Sequence, residues 1–152
     1  MILEGGIPMY DILIQQMRTE VTRVGAQELR TPADVDTVLP SSKGTVLVVV
    51  NSTCGCAAGA ARPALAKALQ HSNAPDKVVT VFAGFDKEAT ARAREYFTQQ
   101  PPSSPSFALL RDGQFVHMVH RYQIEGHTTD QVAATLTQVF DRFCVPEMKP
   151  TI

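Results

Sequence analysis

Cysteine is scarce, with three among 152 residues. That is far too few for a disulfide-stapled secreted scaffold. Long apolar runs are missing as well. The longest aliphatic run, Val46-Leu47-Val48-Val49-Val50, is strand-sized, far short of the roughly 18 residues of a membrane span. Neither sign of charge dominates: 14 basic and 15 acidic residues leave a net charge of −1. Such a balance speaks against a nucleic-acid or anionic-membrane surface. The opening Met1-Ile2-Leu3-Glu4-Gly5-Gly6 has no basic stretch followed by an apolar one, so no signal peptide is expected. What the chain does have is core material. Hydrophobic residues make up 44% and charged residues 19%, which excludes a mainly disordered chain. The expectation is one cytoplasmic domain over residues 1–152, with no nucleic-acid or membrane partner.

Periodicity and turn chemistry place the elements. Residues 8–24 read as an amphipathic helix, with Tyr10, Ile14, Met17, Val21 and Val24 on one face and Gly25 as a stop. That stripe can pack on the chain's own sheet, the favoured arrangement, or on a second subunit in a homodimer. A weak strand is expected at 26–30. Thr31-Pro32 then opens a short helix over 33–39. Residues 45–50 are β-branched and apolar, as in a central strand buried on both faces. An alanine-rich helix is predicted over 57–71, kinked by Pro63. A second buried strand follows at 77–83. Asp86 is expected to cap a helix to about 99 that buries Ala89, Ala93, Tyr96 and Phe97. After the proline-rich loop 101–105, strands 106–111 and 114–120 flank the Asp112-Gly113 hairpin signal. The capping box Thr128-Thr129-Asp130-Gln131 opens a last helix with Val132, Leu136, Val139, Phe140 and Phe143 on one stripe. The order predicts an α/β fold, a mixed sheet with helices on both faces and an extra helix at the N-terminus.

Cys54-Gly55-Cys56 falls where the central strand hands over to a helix. Helix N-termini expose unpaired N–H groups and the positive end of the dipole, and both favour thiolate. Thiolate is the reactive form in disulfide exchange. Cys54, at the exposed mouth, is therefore the expected nucleophile and Cys56 the resolving thiol. Gly55, lacking a side chain, lets a substrate come close. A disulfide across one intervening residue closes a small, strained ring, which favours exchange or isomerisation over strong reduction. Two other chemistries compete. A Cys-x-Cys pair can bind zinc or cuprous copper, making the chain a metal carrier, but a structural zinc site needs about four ligands. His71 lies roughly 22 Å along the helix at about 1.5 Å per residue, and His117 and His120 face opposite sides of a strand. No resident metal or other bound cofactor is therefore expected. A cysteine protease needs a base beside the nucleophile, and none can be placed there. Cys144, at the end of the last helix, reads as a packed thiol.

These features together resemble the thioredoxin fold: a strand, a cysteine motif at a helix start, a kinked helix, and a Ser-Pro before a hairpin. More narrowly, three segments resemble the bacilliredoxin family. They are Cys54-Gly55-Cys56-Ala57, the loop Pro101-Pro102-Ser103-Ser104-Pro105-Ser106, and Ile124-Glu125-Gly126. The resemblance covers nearly the whole chain and implies a thioredoxin-like three-layer fold. It implies removal of bacillithiol, a low-molecular-weight thiol and co-substrate, from S-thiolated or otherwise oxidised proteins. Cys54 would take the thiol and Cys56 could resolve the result. Pro105 would be a cis-proline facing the cysteines, with the backbone of Ser104 beside them for substrate pairing. Thioredoxin carries a buried aspartate on the strand before its cysteines and a tryptophan beside them. Here the matching strand position is Val48 and the chain has no Trp. Both departures argue against a general dithiol reductase.

Overall fold

The computed structural model describes residues 9–145. Five strands form one mixed sheet in the order β1-β3-β2-β4-β5. They are β1 (Gln27–Glu28), β2 (Thr45–Asn51), β3 (Lys77–Phe82), β4 (Ser106–Arg111) and β5 (Gln114–Val119). β3 runs parallel to both β1 and β2, whereas β4 is antiparallel to β2 and to β5. β2 is central, and every one of its residues is buried. The helices are α1 (Met9–Thr22), α2 (Pro32–Val38), α3 (Arg62–Ala68), α4 (Lys87–Arg94) and α5 (Thr129–Phe143).

The period-2 alternation of β2 divides the core. Leu47 and Val49 face Val21 of α1, Ala64 and Leu65 of α3, and Leu136 and Phe140 of α5. Val46, Val48 and Val50 face Val35 of α2 and Ala89 and Ala93 of α4. Helices thus cover both faces, as the element order implies. Thr31 and Thr128 cap α2 and α5, each in a reciprocal capping box, with Asp34 and Gln131 respectively. Asp112 (φ 50°) and Gly113 (φ 81°) both occupy the left-handed region, the conformation a two-residue hairpin between twisted strands requires.

Four expectations need correction. On α1, Ile14 and Val21 are buried and Met17 is half-buried, but Tyr10 is exposed. The third buried position is Arg18, a cation that the apolar pattern passes over. Asp86 occupies the cap position of α4 without capping it. Its carboxylate accepts instead from Arg18 Nη1 and Nη2, at 2.7 and 3.1 Å. α4 ends at Arg94, and the chain continues through tight turns in which Tyr96 and Phe97 donate to carbonyls three residues back. Phe97 is buried there, while Tyr96 is only half-buried because its hydroxyl reaches Asp36. Finally, the helix expected over 57–71 has two parts: a π-helical stretch, Ala57–Ala61, and α3. The Pro63 ring provides the reason. An α-helix would pair the N–H of residue 63 with the carbonyl of Gly59, and proline has no N–H. The Gly59 carbonyl accepts from the Thr129 hydroxyl at 2.9 Å instead. The helix therefore widens before Pro63, which sits in the first turn of α3. Pro8, the expected start of the first helix, lies outside the described residues.

Candidate active site

The cysteine motif lies just beyond the C-terminal end of β2, on the turn that leads into the π-helical stretch. Buried groups fix this turn from below. Arg62 is only 4% exposed. Its Nη1 donates to the Ser52 carbonyl at 2.8 Å and to Asn51 Oδ1 at 3.0 Å, while Nε reaches Glu20 at 2.5 Å. Asn51 in turn donates to the Met17 carbonyl of α1 at 3.2 Å. The Cys54 N–H donates to Ser52 Oγ at 3.2 Å. The Cys54 carbonyl accepts from the N–H groups of Ala57 and Ala58, which starts the helical winding.

Cys54 and Cys56 are both half-buried, with their sulphurs 2.6 Å apart. Cys56 also packs against the core on the α1, α3 and α5 face. The two thiols differ in acidity. Burial alone would push Cys54 up. It is outweighed by hydrogen bonds to its sulphur from the Cys56 thiol, the Ala57 N–H, the Ser52 hydroxyl and the Cys56 N–H, so its pKa lies below the ordinary thiol value. Cys56 is pushed up by burial and then by the bond to Cys54 and the charge on it; the positive charge of Arg121 and its own N–H act in the other direction. The two thiols are thus unequal, and Cys54 is the easier of them to deprotonate. An added Cβ at Gly55 would meet no atom within 4 Å, so the space above this exposed residue is open.

The loop before β4 ends at Ser106, which pairs with Val50 at the same end of β2. The Ser104–Pro105 peptide is cis, as the resemblance implies. Ser103 Oγ lies 3.0 Å from His120 Nδ1, and the buried His120 ring reaches Gln100 Oε1 at 2.8 Å through Nε2. That amide oxygen only accepts, so Nε2 is the donor in the contact with Gln100. The Ser103 carbonyl accepts from Ser106 Oγ at 2.8 Å and from Arg94 Nη2 at 3.3 Å. Arg121 Nη1 donates to the Ser104 carbonyl at 3.2 Å. Arg121 thus joins this loop to the cysteines, whose charges act on it after its bond to Glu125.

Sequence reasoning does not reach Arg62 or Arg121. Their partners lie 10 to 42 positions away for Arg62, and 17 positions away at Ser104. No local pattern signals such contacts. Cys144 is half-buried at the other end of β2, in a cleft of about 420 Å³ lined by Thr45, Asp76 and Arg111. Burial pushes its thiol up. Among the described residues no three His, Cys, Asp or Glu side chains gather in a way that could hold a metal ion.

A mixed sheet with helices on both faces, and a cysteine pair just beyond the end of its central strand, defines the thioredoxin fold class. Solved structures share that fold. A Malassezia sympodialis thioredoxin superposes with a TM-score of 0.55 at 19% identity, over 79% of this chain and 94% of its own. Fasciola hepatica thioredoxin gives 0.55 at 19%, over 77% and 98%. The family described as "Disulphide isomerase" matches residues 9–144. A bacilliredoxin of Geobacillus kaustophilus is 55% identical over 137 residues, 90% of this chain and 94% of the relative. One of Halalkalibacterium halodurans is 56% identical over 142 residues, 93% and 97% of the two chains. The chain belongs to the bacilliredoxin family.

Proposed function

We propose that this protein removes a low-molecular-weight thiol, bacillithiol, from mixed disulfides on oxidised proteins in the cytoplasm. The observation that carries this reading is the pair of sulphurs 2.6 Å apart with pKa values moved in opposite directions. The Cys54 thiolate attacks the small-thiol sulphur of the mixed disulfide. A Cys54–thiol disulfide forms, and the client cysteine leaves as thiolate and takes a proton from water. Either of two steps then clears Cys54. A second molecule of the small thiol attacks, giving its symmetric disulfide and a free Cys54. Alternatively Cys56, deprotonated, attacks Cys54, releasing the small thiol and leaving a Cys54–Cys56 disulfide. That disulfide awaits two electrons from a dithiol reductant. Gly55 leaves the approach open, and Ser104 and Pro105 form the facing wall.

The test is to incubate the reduced protein with a bacillithiol-modified protein and record intact masses. Transfer of one bacillithiol mass to this chain, lost in Cys54→Ser, is expected. No transfer would remove the reading. Stoichiometric zinc or copper in protein purified without added metal would instead favour a metal carrier built on the same two cysteines.

A further inference from the structure

We propose that Arg121 is the anion-recognition residue of the cysteine site and selects small disulfides that carry a carboxylate over neutral or cationic ones. The proposal rests on the exchange reading above and adds the substrate's charge to it. Arg121 follows β5 in a single turn, Arg121–Gln123, and its backbone is held. Its N–H donates to Ser103 Oγ at 3.4 Å, and the preceding His120 N–H donates to Gln123 Oε1 at 3.0 Å. The side chain is held less firmly. It is 40% exposed, and its partner Glu125 is 61% exposed. The two bonds to Glu125 are long, at 3.3 and 3.4 Å. An exposed pair of this kind is worth little and yields to a competing carboxylate.

Donor arithmetic supports the same conclusion. A guanidinium offers five N–H groups in a planar fork. The Ser104 carbonyl takes one and Glu125 takes two, all through long bonds, so two remain for a ligand. A fork of this shape fits a carboxylate in two-point contact. Position matters as much as capacity. The carbonyl of Ser104 is an acceptor that an extended peptide would use to pair beside Pro105, and Arg121 donates to it. Arg121 therefore sets a positive charge beside the position a substrate would take at this loop. Arg121 holds the Ser104 carbonyl, two residues before Ser106, and Ser106 pairs with Val50 at the end of β2 that leads to Cys54, so a carboxylate held by it lies on the cysteine side of the sheet.

Three symmetric disulfides of similar length make the test: dithiodipropionate (anionic), hydroxyethyl disulfide (neutral) and cystamine (cationic). Initial uptake on the reduced protein is followed by intact mass. Each rate is divided by that of mercaptoethanol with the same disulfide, which removes intrinsic reactivity. Wild type is expected to prefer dithiodipropionate to cystamine by about tenfold, the scale of one charge-assisted contact. Arg121→Gln should abolish the preference, read as the ratio of the rates for dithiodipropionate and cystamine after correction for the thiolate fraction found by alkylation. Arg121→Lys should keep part of the preference, and Arg121→Glu should reverse it towards cystamine. Circular dichroism of each variant establishes that the fold is intact. Equal loss for all three disulfides in Arg121→Gln, or no preference in wild type, would overturn the proposal and leave the exchange reading standing. Uptake of none of the three by wild type would overturn both.

Discussion

At the scale of single residues the site depends on an asymmetry between two chemically identical side chains. Cys54 gains donors to its sulphur, and Cys56 is the foremost of them. The alkylation rate of Cys54 against pH should therefore inflect below the ordinary cysteine value of about 8.5, and fall as pH drops through that point. Cys56→Ala removes a donor and should move the inflection up. Cys56→Ser restores a hydroxyl donor and should hold it low. An unchanged inflection in Cys56→Ala would mean that the neighbouring thiol has no part in activation. The same two variants divide the chemistry. With a bacillithiol-modified protein, Cys54→Ser should take up nothing, whereas Cys56→Ser should accept one small thiol and keep it until a second arrives from solution. Equal loss in both would point to a shared metal site. Cys144→Ser should change neither step, because that thiol lies at the opposite end of β2. The position of Cys54 and Cys56 at a strand-to-helix turn was legible in adjacent residues, and the cis Ser104-Pro105 bond through the family resemblance alone. The two arginines that frame them were not, since an arginine in a sequence looks the same whether it is solvated or buried against a carbonyl.

Elements show where local signals suffice and where they do not. The Thr31 cap, the Thr128 capping box and the Asp112-Gly113 turn all form as their sequences predict. Each is decided within four residues. The strand limits of β2, β3, β4 and β5 fall within one residue of expectation. The cysteine helix departs from expectation because Pro63 frees a carbonyl that a hydroxyl 70 positions away then satisfies. Asp86 departs because a buried cation competes successfully for its carboxylate. The stretch from Asn51 to Arg62 behaves as one clamp. Arg62→Met would leave the Ser52 carbonyl and Asn51 Oδ1 without their charged donor, at a cost of about 2–3 kcal/mol. Urea unfolding should show that loss. Alkylation of Cys54 should also slow or lose its low inflection, since the turn carrying the Ser52 hydroxyl is no longer fixed. Full stability in Arg62→Met would show that water replaces the guanidinium there.

On the scale of the whole molecule, one sheet separates two apolar layers, and a buried charge cluster ties the N-terminal helix to them. Arg18 is 7% exposed, grips Asp86 through two bonds, lies 3.7 Å from Glu28 and stacks over Phe82 at 5.0 Å. Removing one member of such a pair leaves the other buried and uncompensated. Arg18→Met should cost about 3 kcal/mol in urea unfolding, and Asp86→Leu a similar amount. The double variant should cost clearly less than the sum. Strict additivity would show that the two residues do not act as a pair. The sheet order and layer arrangement were legible in the alternation of strand and helix patterns, whereas this cluster, formed by residues 68 positions apart, was not. The placement of β2 has one more consequence. Its backbone is paired on both sides and its side chains are covered on both faces, so its amides exchange with solvent only when the whole molecule opens. Because Cys54, the proposed nucleophile, follows that strand, disulfide-exchange activity on heating should persist until the sheet itself melts, and the two losses should trace a single curve.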